Sequence, residues 1–128
     1  MAKKTGEILT EALDDLLAQS SDIEGAAVVG VDGLVYASKM PHREMDEDLT
    51  GAVTAAIYTL SVRSVQQLKR GESIRTLVQG TDGNILVTVI DKHTMFVGLT
   101  SKDINLGMAF AEARTISSHL REVLSGME

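Results

Sequence analysis

Three histidines, His42, His93 and His119, and three acid-rich stretches, Glu11–Asp15, Glu44–Asp48 and Asp103, are the side chains with the most chemical capacity. Imidazole next to carboxylate would support zinc binding, a nucleophilic triad or acid–base work. The spacing supports none of these. Each histidine falls in a different predicted element, none sits at ligand distance along the chain from another, and nothing in the sequence sets two acids across a cleft. There is no cysteine, which removes thiolate metal sites, thiol catalysis and disulfides. The Gly80-Thr81-Asp82-Gly83 stretch lacks the lysine and the following helix that a phosphate-cradling loop needs, so its glycines read as turn residues. No catalytic residue, cofactor site or metal site is assigned, and the expectation is a protein that is not an enzyme.

The totals narrow the classes further. At 128 residues, 44% apolar and 23% charged, the chain fits one domain with its own core. A net charge of −6 gives no basic face for nucleic acid, and two Tyr with two Phe are few for stacking bases or enclosing a flat cofactor. No apolar stretch is long enough to cross a bilayer. The first residues, MAKKTGEILTEAL, hold no apolar signal core, so a cytoplasmic location without membrane insertion is expected.

The elements that would carry any function are well marked. From Thr5 to Ser21, Leu9, Leu13, Leu16 and Leu17 share one helical face and Glu7, Glu11, Asp14 and Asp15 the other. Ala26–Val31 and Leu34–Ser38 flank Asp32-Gly33, a hairpin signal. Acids in residues 42–48 suit the start of a helix over 47–70, with Arg63, Lys69 and Arg70 near its end and Gly71 as its stop. Three strands follow, Ser73–Gln79, Asn84–Asp91 and Thr94–Ser101, and a last helix spans 104–125. Ile85–Ile90 hardly alternates, which requires helices on both faces of the sheet. The first of the three strands, with Arg75 and Gln79, is polar enough for an edge. The fold class is α+β: a five-stranded, mostly antiparallel sheet between one middle helix and the two terminal helices, in the order α-β-β-α-β-β-β-α.

The middle helix is the unusual element. Leu49–Val62 contains no charged residue. Leu49, Val53, Ile57, Leu60, Ser64 and Leu68 form a stripe expected to face the sheet. Gly51, Ala55, Tyr58, Thr59 and Val62 form a second, small-residue stripe expected to face a second copy of the chain, where small side chains permit close approach. Arg63 either reaches a partner's acidic surface or phosphate, or complements its own helix end.

The order of elements and the text together resemble the Roadblock family, of the dynein light chain type. The resemblance rests on the acidic Leu-rich first helix, DIEGAAVVGVDGLVYAS, the long Ala/Thr/Leu helix, IRTLVQGTDGNILVTVIDKHTMFVGLTS and the closing Leu/Ile helix. It implies homodimers in which the edge strand at 73–79, with Ile74, Arg75, Thr76 and Leu77, pairs with its symmetry mate and the middle helices lie side by side. It further implies a non-enzymatic scaffold or regulator of a small Ras-like GTPase, of the prokaryotic gliding-motility kind. Two other classes remain open: a PAS- or GAF-like small-molecule sensor, and a motor light chain that binds an extended peptide. The sequence stops at Ser125-Gly126-Met127-Glu128, so contact through a long C-terminal tail is not expected.

Overall fold

In the computed structural model, which describes residues 5–41 and 46–126, the elements run α1 (Thr5–Gln19), β1 (Ile23–Gly30), β2 (Val35–Lys39), α2 (Glu47–Gln67), β3 (Arg75–Gln79), β4 (Gly83–Val89), β5 (Thr94–Ser101) and α3 (Leu106–Ser125). His42 and Glu44 lie outside the described residues. The strands form one sheet in the order β2-β1-β5-β4-β3, and every neighbouring pair is antiparallel. This is the expected α+β arrangement, with β2 and β3 as its edges.

Alternation along the central strands splits the core in two. Ala26, Val28, Leu86 and Phe96 point to one face, where they meet Leu9 and Leu13 of α1 and Ala113, Ile116 and Leu120 of α3. Ala27, Val29, Val87, Met95 and Val97 point to the other, where Ile57 and Tyr58 of α2 pack against them. Complete burial of a side chain such as Leu9 or Phe96 contributes about 1.5–3 kcal/mol. Both faces are therefore closed by helices, as the apolar text of β4 requires.

Local chemistry sets the boundaries. Asp46 caps α2 by accepting from the Asp48 N–H at 2.9 Å, and Asn105 caps α3 by accepting from the Met108 N–H at 3.1 Å. α2 ends at Gln67, earlier than the expected residue 70. Lys69 takes a positive φ of 57° ahead of Gly71 at 91°, so the chain leaves the helix before the glycine. The β1–β2 connection is wider than a two-residue hairpin. Gly30 donates to the Leu34 carbonyl and Gly33 (φ 89°) donates to the Gly30 carbonyl, leaving Val31 in the turn, and a bulge shifts the register between Val28 and Val29.

Candidate functional site

The two faces of α2 are the reverse of those expected. Gly51 and Thr54 are buried against the sheet, with Ala55, Tyr58 and Val62 half-buried on the same side. A methyl group added at Gly51 would overlap the Gly33 carbonyl oxygen and crowd Val35, so the helix touches backbone at this point. Close approach does require the small residues, and the surface they approach is the chain's own hairpin. Gly51, Ala55, Tyr58 and Val62 lie on the side of α2 that faces the chain's own sheet and hairpin, while Thr59 and Arg63 are exposed.

The larger aliphatic residues stand outside. Leu49 is 61% exposed, Leu60 68% and Leu68 70%, and Val53 stands beside Ala52 and Ala56 on the same outer face. Ile57 alone of the stripe expected on the sheet joins the core. The spacing of 49, 53, 56 and 60 makes a continuous apolar seam along the helix.

The seam is continuous with the edge of the sheet. The hydroxyls of Ser61 and Thr76 lie 2.6 Å apart and join α2 to β3, and Ser61 also donates to the Ile57 carbonyl at 2.8 Å. Leu60, Ser64, Ile74 and Thr76 line a shallow groove between helix and strand, and Ile74 is 63% exposed. β3 pairs only with β4, through Thr76 opposite Val87 and Leu77 opposite Leu86, so its outer backbone groups face no strand among the described residues. Of the four β3-region residues expected in an interface, Ile74 and Thr76 share the α2 face. Arg75 and Leu77 share the other, where the Arg75 guanidinium lies 5.9 Å from the centre of the Phe110 ring on α3.

This surface offers shape, apolar contact and backbone hydrogen bonds. The Ser61 and Thr76 hydroxyls engage each other and the Ser64 hydroxyl donates to the Leu60 carbonyl at 2.7 Å, while Glu72 and Arg75 also line the groove. His93 and His119 are both exposed and lie on different elements, the β4–β5 turn and α3. Asp91 is occupied in that turn: partial burial works to raise its pKa, and hydrogen bonds from the Thr94 hydroxyl and the His93 and Thr94 N–H groups outweigh it and leave it below its ordinary value. Among the described residues no three His, Asp or Glu side chains gather to hold a metal ion, and no helix is long and apolar enough to cross a membrane.

The fold is a five-stranded antiparallel sheet with one helix on one face and two on the other, with exposed Leu49, Leu60, Leu68 and Ile74 along the single helix and the adjoining edge. The chain belongs to the Roadblock/LC7 domain family, whose sequence pattern matches residues 9–100. The uncharacterised proteins MJ0310 and MJ1340 of Methanocaldococcus jannaschii are each 33% identical over 92 residues, covering 72% of this chain and 79% of their own. Among solved structures, Myxococcus xanthus MglB superposes with a TM-score of 0.89 over 100% of this chain and 96% of its own, at 13% identity. The gliding protein mglB of Thermus thermophilus does so with a TM-score of 0.81 over 96% and 93%, at 17% identity. An MglB in a tetrameric arrangement has a TM-score of 0.85 over 96% and 92%, at 16% identity. At these identities the structural likeness concerns the fold.

Proposed function

We propose that the protein is a non-enzymatic homodimeric regulator that binds a small Ras-like GTPase. The observation that supports the dimer is the exposure of Leu49, Val53, Leu60 and Ile74 on one face, bordered by the unpaired edge of β3. A second copy related by a two-fold axis matches this surface with itself: α2 against α2 through Leu49, Val53, Ala56 and Leu60, and β3 antiparallel to β3 about Leu77. Each large aliphatic side chain so covered adds about 1.5–3 kcal/mol, and the strand pairing satisfies backbone groups that water otherwise solvates. Paired helices then present a broad platform whose polar positions, Thr59 and Arg63 among them, border the seam.

The family resemblance supports the GTPase as partner. Such a platform would hold a GTPase's switch loops in one of their arrangements and shift their populations, supplying no catalytic group of its own. The test is light scattering coupled to size exclusion, with a small GTPase encoded nearby loaded with GTP or with GDP. A larger complex with one nucleotide state only is expected. A dimer that ignores the GTPase in both states overturns the GTPase reading and leaves an extended peptide added to a sheet edge as the mode to examine.

A further inference from the structure

The opposite side of the sheet carries a second open surface. α1 and α3 lie side by side, and between them runs a groove of about 450 Å³ floored by Ala12, Leu16, Ala111 and Ile116. Its rim carries Asp15 on α1 and Glu112 on α3, and His119 of α3 lines the same groove. Glu112 is held in place by the Ser20 hydroxyl, which donates to it while accepting from the Ile23 N–H at 2.9 Å.

Lys39 pairs with Asp14 at 3.4 Å, and among the described residues no basic side chain pairs with Asp15 or Glu112. The groove lies beside the C-terminal end of α1, whose last turn contains no basic residue and whose carbonyls add partial negative charge. Small side chains at Ala12 and Ala111 leave room for a helix to settle between the two. We propose that the α1–α3 groove docks a basic amphipathic helix from another protein. Its apolar edge seats on Ala12, Leu16, Ala111 and Ile116, and its lysines or arginines lie against Asp15 and Glu112. A second copy of this chain is a poor occupant, because at net −6 it brings further acid, including the Glu7 and Asp14 face of α1. The groove and the α2–β3 surface lie on opposite faces of the sheet, so this docking is independent of the dimer and of the GTPase.

The probe is a fluorescein-labelled synthetic peptide of about fifteen residues, matching the roughly 22 Å length of α1. It carries a leucine stripe flanked by lysines, and a control peptide replaces each lysine with glutamate. Anisotropy should show saturable binding of the lysine peptide only. NMR shifts should fall on Leu16, Ala111 and Thr115 and leave Leu60 and Ile74 unmoved. The double variant Asp15→Asn/Glu112→Gln should bind about tenfold more weakly, whereas Asp82→Asn/Asp103→Asn, with the same change in net charge, should bind as wild type does. Ala111→Trp, which fills the groove and keeps both acids, should also lose binding, a second reading should the acid variant fold poorly. Equal weakening by both double variants, or shifts on the α2–β3 face, would overturn the proposal, as would absence of binding. Leu60→Glu, directed at the proposed dimer, should leave peptide binding unchanged.

Discussion

The hydroxyls of Ser61 on α2 and Thr76 on β3 lie 2.6 Å apart, in the middle of the surface where the helix meets the edge of the sheet. This bond fixes the helix relative to the strand, so the exposed seam of α2 and the unpaired edge of β3 form one face. A self-complementary contact requires that rigidity, because helix and strand must meet their mates together.

The close approach of α2 to the hairpin makes Gly51→Ala a sensitive substitution. Alanine ordinarily favours a helix over glycine, yet the added methyl overlaps the Gly33 carbonyl oxygen. Overpacking against backbone should lower stability by about 1–3 kcal/mol. Urea unfolding monitored by circular dichroism checks it; an unchanged or raised midpoint would mean that α2 stands further from the sheet.

The reversed faces of α2 predict opposite outcomes for two glutamates. Ala55→Glu places a charge on the sheet side and should unfold the protein or sharply lower its Tm. Leu60→Glu places one on an exposed position and should leave the far-ultraviolet spectrum intact. Were Ala55 on the outer face, the two variants would exchange behaviour.

These faces are the least legible part of the sequence. Periodicity locates α2, and its low charge sets it apart from an ordinary half-solvated helix. Yet both stripes are uncharged, and the choice between them turns on what Gly51 approaches. That contact is made with Gly33, in a hairpin eighteen residues earlier, and no local pattern encodes it. The sheet is more legible: Leu9 and Leu13 at helical spacing, the apolar run of β4 and the polar β3 each report their burial directly. The α1–α3 groove leaves no local signal, since Asp15 and Glu112 read as ordinary solvated acids until the fold brings them to one rim.

Thr88 and Ser117 are buried between β4 and α3, and their hydroxyl oxygens have no hydrogen-bond partner among the described residues. Thr88→Val keeps the shape and removes the unpaired group, so thermal unfolding should show a gain of about 1–2 kcal/mol. A loss would show that the hydroxyl is satisfied.

Asp91 links stability to pH. Its folded pKa is below the ordinary value, so the charged form is favoured by folding. The stabilisation is present above the unfolded carboxylate range near about 3.9 and disappears as pH falls through the lower folded value. Asp91→Ala removes the acceptor for the Thr94 hydroxyl and for the His93 and Thr94 N–H groups. It should cost about 1–2 kcal/mol at neutral pH in this half-exposed turn and progressively less toward pH 2. A pH-independent difference would mean that the charge plays no part.

The central claim is that a second copy covers the face built from α2 and β3. Sedimentation equilibrium of wild type and Leu60→Glu, across a range of concentrations, tests it most directly. The account predicts twice the 13.7 kDa chain mass for wild type and the single-chain mass for a folded Leu60→Glu. A wild-type protein that stays monomeric, or a Leu60→Glu variant that dimerises as tightly as wild type, would contradict it.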